Sequence, residues 1–317
     1  MADVEQLPSD FIEMEFCVEP NYAGWRLDLY LCAKIPRLSR TRVKGIIERE
    51  LLCEKELKPS SLVTAGLKFR LRRKALPEPE VPAANEVKEI FRDAWLLILD
   101  KPAGLPIHPT ARYHHGTLVS QLKARGEEAW PAHRLDRETS GLLVCARSTA
   151  VSRVLGDAFT GSEVHKEYVA ICEGDPPDAF EVDAPISEGT ELIRIAVRID
   201  RENGKPAQTR FAVERRFERD GARFAILRCF PRTGRQHQIR IHLQQAGFPL
   251  VGDKMYGSDP GFFYRFSKHT LEPEAWLKLR LARHALHAAK ISFEHPGIGG
   301  VVTFESPLPK DLADFSA

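Results

Sequence analysis

The sequence has little of what would place it among secreted, disulfide-rich, zinc-binding or membrane proteins. Its six cysteines include no C-x-x-C pair, and no apolar run approaches the about 20 residues that a membrane span requires. The first residues are acidic and lack the apolar core of a signal peptide. Such cysteine usage argues against a zinc site and a disulfide framework. We therefore expect a cytoplasmic protein with reduced thiols and no membrane segment.

Motifs of several enzyme classes are missing as well. The chain has no P-loop, no G-x-G-x-x-G, no H-E-x-x-H and no G-x-S-x-G. This argues against a nucleotide cofactor, against a zinc hydrolase and against a serine hydrolase. The formal net charge is only +2 although the chain has 46 lysines and arginines. Any site for nucleic acid must therefore come from local clusters of cations.

The distribution of proline and apolar residues predicts two unequal domains. With 317 residues, 43% of them hydrophobic and 28% charged, the chain has the composition of a globular protein. Prolines 77, 79 and 82 mark a segment that cannot pack as a helix or a central strand. We predict a tail over residues 1–15, a small domain over 16–75, a linker over 76–88 and a large domain over 89–317. There is no internal repeat.

The small domain contains a helix rich in cations. Ser39 is a good N-cap for it, and Val43, Ile46 and Ile47 form an apolar stripe at helical spacing. The pattern Arg-Leu-Asp-x-x-Leu at 26–31, Ser-Arg-x-Arg at 39–42 and Lys-Pro-Ser at 58–60 resembles the S4 RNA-binding domain. The resemblance implies a small α/β domain with a phosphate-binding face. We expect that face to include Arg37, Arg40, Arg42 and Lys44. Where such domains usually carry an Asn-Gly turn, this chain has Cys-Glu-Lys-Glu at 53–56, and the two glutamates weaken the positive field.

The large domain shows apolar runs of strand length, several of them with period-two alternation. They lie at 95–99, 142–146, 166–171, 193–199, 211–217 and 224–230, with short turns and few helices between them. This pattern favours an α+β fold with a mixed, mainly antiparallel sheet flanked by helices over a doubly wound sheet. The polar and aromatic region 258–278 is harder to assign, and we expect an insertion over the cleft.

Three strings in the large domain carry a second resemblance. They are His-Arg-Leu-Asp-x-x-Thr-Ser-Gly-Leu at 133–142, Lys-Pro-x-Gly at 101–104 and Thr-Gly-Arg-x-His-Gln-Ile-Arg at 233–240. Together they resemble the RluA family of RNA pseudouridine synthases. The resemblance implies the fold of that family, with uridine in RNA as substrate and its C-glycoside isomer as product. It also implies that no metal or other cofactor takes part.

The resemblance assigns roles to particular residues. It implies that Asp136 is catalytic and that Arg235 is the cation that keeps it ionised, although Arg235 in a purely structural ion pair is the alternative. Tyr168 would stack on the uracil and transfer a proton, and Leu286 would pack the base, unless both are ordinary sheet residues. His237 and His242 are expected to be structural or to contact RNA. Further contacts with the substrate are expected from Lys101, Arg112, Arg134, Arg232, Arg240 and Arg283.

Physical chemistry sets two requirements for such a site. Burial would raise the pKa of Asp136, so a nearby cation is needed to keep the carboxylate ionised at neutral pH. Uracil cannot be reached inside a stacked helix, so the target must be flipped out or lie in a loop.

The sequence thus predicts an RNA pseudouridine synthase that acts as a monomer. Ribosomal RNA is the favoured substrate. Transfer RNA comes next, because residues 106–113 resemble the corresponding segment of family members that act on it. The alternative is a catalytically silent RNA-binding or assembly protein with the same fold. That alternative would be favoured if Asp136, Tyr168 or Arg235 were missing, and all three are present.

Overall fold

The computed structural model describes residues 11–35, 38–74, 78–83, 87–110, 113, 115–189, 196–259, 261–267 and 270–317. The chain divides into two compact units, Met1–Glu78 and Pro79–Ala317, at a point inside the predicted linker. Arg37 and Arg112, for which RNA contacts were predicted, lie outside the described residues. Within the described residues, none of the helices has the length and apolarity needed to cross a membrane.

The first unit is a small α/β domain. Its strands are β1 (Phe11–Cys17), β2 (Leu51–Leu52) and β3 (Lys68–Lys74), its helices α1 (Leu27–Lys34) and α2 (Arg40–Glu50), and a 3-10 turn spans Pro20–Tyr22. The strands form an antiparallel sheet in the order β1-β3-β2. As predicted, Ser39 caps α2, and its hydroxyl accepts a hydrogen bond from the backbone N–H of Arg42. Residues of both helices pack on the sheet in one apolar core.

A buried carboxylate joins the two helices of this unit. Asp28 is fully buried on α1 and forms ion pairs with Arg26 (3.1 Å) and with Arg40 at the start of α2 (3.0 Å). The hydrogen bond from Arg26, helped by Arg40, lowers the pKa of Asp28 to about 2 despite its burial. Part of the Arg40 guanidinium is therefore used inside the unit, whereas Arg42 and Lys44 are exposed.

The second unit is built on one large sheet. Its strands are β4 (Lys88–Arg92), β5 (Leu96–Lys101), β6 (Trp130–Pro131), β7 (Ser140–Ala146), β8 (His165–Glu173), β9 (Ala179–Asp183), β10 (Ile186–Glu188), β11 (Val197–Ile199), β12 (Gln208–Arg219), β13 (Ala222–Pro231), β14 (Leu286–Glu294) and β15 (Val301–Glu305). Its helices are α3 (Leu118–Ala124), α4 (Thr149–Thr160), α5 (Gln238–Gln245), α6 (Phe262–Ser267), α7 (Pro273–Leu279) and α8 (Lys310–Ser316).

The order of strands confirms the predicted fold class. Within the described residues, ten strands form the main sheet in the order β4-β5-β7-β14-β8-β13-β12-β9, with β15 beside β14 and β6 beside β7. All of these pairs are antiparallel except β7 with β14. The sheet is thus mixed and mainly antiparallel. Strands β10 and β11 form a separate pair.

The strongly apolar strands lie at the centre of the sheet because both faces are covered. Every residue of β7 is buried. Val151 and Leu155 of α4 pack on one side of this region, and Leu118 and Leu122 of α3 pack on the other. Helix α4 begins where the sequence predicted, at its cap Ser148.

The only parallel pairing among these strands depends on a glycine. Gly141 has φ +109°, and a Cβ atom there would lie 2.3 Å from the carbonyl oxygen of Ala288 on β14. A larger residue would push β7 away from β14. Gly141 therefore allows the start of β7, and the loop before it that carries Asp136, to lie next to the start of β14 at Leu286.

Candidate active site

The loop that carries Asp136 is anchored by a buried lysine. Lys101 has no exposed surface, and its ammonium donates to the carbonyl oxygens of Pro102 (2.9 Å), Leu105 (3.1 Å) and Arg137 (3.1 Å). All three donors of the ammonium are therefore used, and the predicted RNA contact of Lys101 is wrong. The lysine instead joins the Pro-Gly loop after β5 to the residue that follows Asp136.

The carboxylate of Asp136 lies against Arg240. Its Oδ2 accepts a hydrogen bond from Arg240 Nη1 at 2.9 Å, and the side chain is 17% exposed. The other edge of the same guanidinium binds Asp253 through Nε (2.7 Å) and Nη2 (2.9 Å). Arg240 is thus a buried cation between two carboxylates. The predicted contact of Arg240 with the substrate stays a prediction, because Nη1 and Nη2 each have one N–H besides those that bind the two carboxylates.

The ion-pair partner of Asp136 also differs from the prediction. Arg235 is exposed, and its Nε donates to the carbonyl oxygen of Pro206 at 3.2 Å. Arg235 belongs to the turn before α5, whereas Arg240 lies on the buried face of the helix itself. Arg283 is likewise buried, and it donates to Asp311 and to backbone carbonyls. Its predicted RNA contact is therefore also wrong.

The surroundings of Asp136 keep it ionised. Burial alone would raise the pKa of this carboxyl, but the charges of His237, Arg240 and His284, with the histidines protonated at low pH, and the hydrogen bond from Arg240 lower it to about 2. Burial lowers the pKa of His237 to about 4 and that of His284 to about 3. Both rings are therefore neutral at pH 7, and Arg240 supplies the positive charge.

His237 approaches Asp136 from an unusual backbone conformation. It is the N-cap of α5 with φ +54°, a left-handed conformation that is costly for a residue with a Cβ atom. Its Nε2 lies 3.6 Å from Asp136 Oδ1, and its Nδ1 lies 3.0 Å from the Tyr256 hydroxyl. That hydroxyl also accepts from the N–H of Val197 at 2.7 Å and lies 3.4 Å from the carbonyl oxygen of Val197.

A pocket opens in front of Asp136. Its apolar walls come from Leu135, Tyr168, Ile239 and Leu286, and four cations lie on its lining: Arg134, Lys166, Arg235 and Arg240. The structure thus brings the predicted residues Arg134, Asp136, Tyr168, Arg235, Arg240 and Leu286 into one cavity. None of its lining residues comes from the described part of region 258–278.

Tyr168 and Leu286 enter the pocket from neighbouring strands. Tyr168 of β8 lies opposite Ala288 of β14 and Cys229 of β13, and Leu286 begins β14. Burial and the negative charge of Asp136 raise the pKa of Tyr168 above its usual value. Its hydroxyl therefore keeps its proton at neutral pH and can act as a hydrogen-bond donor.

The side chains that support the catalytic loop from inside the protein were not predicted from the sequence. Asp253 accepts from the N–H groups of Met255 and Tyr256 in addition to Arg240, and Glu138 accepts from Lys254 Nζ at 3.1 Å. The hydroxyl of Thr139 lies 2.8 Å from His284 Nε2. The string Gly-Asp-Lys at 252–254 marks two of these residues, but their partners lie more than a hundred positions away or on another element.

These pKa values predict that kcat/KM does not fall as the pH is lowered from neutral to mildly acidic values. We expect no acid limb from Asp136 or His237 in kcat/KM between about pH 5 and pH 8, because their pKa values are about 2 and about 4. Ionised Asp136 also contributes to folding stability above the usual carboxyl pKa of about 4, and this contribution is lost as the pH falls toward 2. Single-turnover rates at constant ionic strength test the profile. An acid limb near pH 6 that disappears in His237→Gln would contradict it.

Comparison with known proteins indicates the family of this chain. A family model described as RNA pseudouridylate synthase matches residues 95–245. The chain is 35% identical to ribosomal large subunit pseudouridine synthase D of Nitrosomonas europaea, over 95% of this chain and 86% of the relative. It is 30% identical to ribosomal large subunit pseudouridine synthase C of Salmonella typhi, over 93% of each chain. The solved structure of human RNA pseudouridylate synthase domain containing 1 shares the fold, with a TM-score of 0.59, 24% identity and coverage of 74% of this chain and 89% of that one.

The fold is that of RNA pseudouridylate synthase domains, and its pocket holds an ionised carboxylate in a partly apolar cavity. The chain belongs to the RNA pseudouridylate synthase family. It is an RNA pseudouridine synthase and therefore an isomerase.

Proposed function

We propose that this enzyme isomerises uridines in ribosomal RNA of the large subunit, with Asp136 as the catalytic residue. The choice of RNA is supported by the names of the relatives from Nitrosomonas europaea and Salmonella typhi, each similar over more than nine-tenths of this chain. Transfer RNA is the second candidate, on the resemblance of residues 106–113.

The chemistry of the reaction fits a single ionised carboxylate. The bond from N1 of uracil to C1′ of the ribose breaks, the base turns, and C5 bonds to C1′. The proton on C5 leaves and N1 gains one, so no atom is gained or lost. Asp136 can serve as a nucleophile or as a base in this sequence. Either role requires the charged form, and the ion pair of Asp136 with Arg240 at 2.9 Å in the lining of the pocket is the observation that carries the proposal.

The other pocket residues have complementary roles. The ring of Tyr168 packs against one face of the uracil, and its protonated hydroxyl assists proton transfer. Leu286 packs the base from β14. Arg134 and Arg235, both exposed at the pocket, hold the phosphates of the flipped nucleotide. In this arrangement Arg235 acts on the substrate, while Arg240 acts on Asp136.

Mapping of pseudouridine positions in cellular RNA tests which RNA is the substrate. Total RNA is compared between cells with and without the gene, and between deletion cells that express the wild type or Asp136→Asn. We expect sites in large-subunit ribosomal RNA to be lost in the deletion and restored by the wild type alone. Loss confined to transfer RNA would overturn the ribosomal substrate. If no site is lost and the purified protein leaves ribosomal and transfer RNA unmodified, the result favours the alternative of a catalytically silent RNA-binding protein.

We further propose that the first unit adds RNA affinity through α2. Arg42 and Lys44 project from exposed positions of this helix, and Arg40 retains half of its side-chain surface. The enzyme would act as a cytoplasmic monomer without a cofactor. Light scattering of the purified protein tests the oligomeric state.

Replacing Arg42 and Lys44 by glutamine in the full-length protein should weaken RNA binding about 3–10-fold. The slope of log Kd against log salt should fall by about 1–2, because each lost phosphate contact removes about 0.7–0.9 from it. Titration of RNA at several salt concentrations measures both quantities. Lys68→Gln, an exposed lysine at the start of β3, is the matched control. Equal slopes for the double variant and the wild type would show that Arg42 and Lys44 of α2 do not contact phosphates of the RNA.

A further inference from the structure

A second and larger cavity adjoins the catalytic pocket. It is a groove of about 700 Å³ formed by the start of β8, by β9 and β14, and by the paired ends of β12 and β13. Lys166 and Pro231 line both the groove and the catalytic pocket. A chain whose nucleotide occupies the pocket can therefore extend directly into the groove. The volume falls within the about 300–1,000 Å³ typical of pockets for nucleotide-sized ligands.

The groove carries an excess of uncompensated positive charge. Among the described residues, none of Lys166, Arg210 and Arg232 has a carboxylate within ion-pair distance. Of the two carboxylates of the groove, Glu167 pairs with Arg228 (2.8 Å), whereas Glu181, opposite Arg210 in the register, accepts from the neutral amide of Gln208 and keeps its charge. Three cations without an ion pair thus face one such carboxylate. This excess of positive charge favours a polyanion as the ligand of the groove.

The groove also offers a stacking surface. The guanidinium of Arg210 lies 4.7 Å over the ring of Phe230, which is half-buried on the neighbouring strand β13. The outer face of this guanidinium remains exposed. Arg232 is oriented by a hydrogen bond from its Nη1 to Gln208 Oε1 at 2.8 Å. Planar guanidinium groups and aromatic rings are the surfaces on which unpaired bases stack.

We propose that this groove binds single-stranded nucleotides that flank the target uridine on one side. A neighbouring base stacks on the Arg210–Phe230 pair, and the phosphates between that base and the uridine contact Lys166 and Arg232. The occupied groove sets the register of the strand, so that one particular uridine reaches Asp136. The proposal rests on the RNA substrate proposed above and adds a determinant of which uridine is chosen.

A double-mutant cycle, which combines substitutions in the protein with truncations of the RNA, tests the proposal. The double variant Arg210→Gln/Arg232→Gln is compared with the wild type on an RNA that contains a mapped site, and on versions shortened to the 5′ side or to the 3′ side of the uridine. We expect kcat/KM on the full RNA to fall about 10–100-fold, mainly through KM. Shortening one flank should cost the wild type a similar factor and the double variant little, because its contact with that flank is already lost.

Binding supplies a readout that does not depend on activity. The Kd of fluorescein-labelled single-stranded oligouridylate should rise about tenfold in the double variant, with a salt slope lower by about 0.7 for the one phosphate contact that is lost with Arg232. Arg223→Gln, an exposed arginine at the other end of β13, is the matched control and should bind as the wild type does. Circular dichroism and melting curves verify that each variant is folded.

Three results would overturn the proposal: an unchanged Kd in the double variant, shortening costs that are equal in wild type and variant, or tighter binding of polyglutamate than of oligouridylate. The proposed function fails differently. If the mapped sites prove to lie in transfer RNA, the ribosomal substrate is refuted, and the same cycle on that RNA still decides whether the groove holds a flank.

Discussion

Asp136→Asn should reduce pseudouridine formation by at least about a thousandfold while the protein remains folded and binds RNA. Asparagine keeps the size of the side chain and can still accept from Arg240, but it carries no charge and is neither a nucleophile nor a base at neutral pH. Loss of a nucleophile or base typically costs several powers of ten in kcat. Single-turnover assays with tritium-labelled uridine measure the loss through release of the C5 hydrogen.

Two comparisons separate a chemical effect from a structural one. Asp157→Asn removes an exposed carboxylate from α4 and should leave the rate unchanged. The Kd of Asp136→Asn for substrate RNA should stay within about threefold of the wild type, because the carboxylate is not the group that holds phosphates. A rate above about a tenth of the wild type would refute Asp136 as the catalytic residue.

Arg240→Met should destabilise the second unit by about 3–5 kcal/mol and abolish activity. The substitution leaves Asp136 and Asp253 buried without their shared cation, and removing one partner of a buried ion pair has a cost of this size. The pKa of Asp136 should rise at the same time, since burial is then no longer opposed by Arg240. Urea titration followed by fluorescence measures the stability, and the pH profile of the remaining activity reports the pKa.

A second variant distinguishes stability from catalysis at this position. In Arg240→Met/Asp253→Asn, one of the two carboxylates that lost their cation is replaced by a neutral amide. The carbonyl oxygen of this amide can still accept from the N–H groups of Met255 and Tyr256. We expect this double variant to regain part of the lost stability but none of the activity, because Asp136 still lacks its cation. Recovery of activity together with stability would show that Arg240 has only a structural role.

Local patterns in the sequence determined much of the fold. Ser39 and Ser148 are followed by the helices that their capping ability predicts. Most of the apolar runs and alternating segments became strands of a mainly antiparallel sheet. The segment predicted at 193–199 lies partly outside the described residues, and its described part includes the strand Val197–Ile199 of the separate pair. These features follow from interactions between residues close in the chain, so periodicity and capping are sufficient to indicate them. The string around Asp136 also marked the catalytic loop.

The tertiary structure decided which charged residues serve which purpose. Arg235 and Arg240 belong to the same string, yet only Arg240 lies on the face of α5 that reaches Asp136, 104 positions earlier in the chain. Lys101 likewise points into the protein and holds the catalytic loop, although a lysine beside a Pro-Gly loop is as compatible with the surface. The sequence by itself determined that one aspartate would lie in a charged loop before a buried strand. The choice of its cation required the packed structure, because the burial and pairing of a charge depend on residues that only folding brings together.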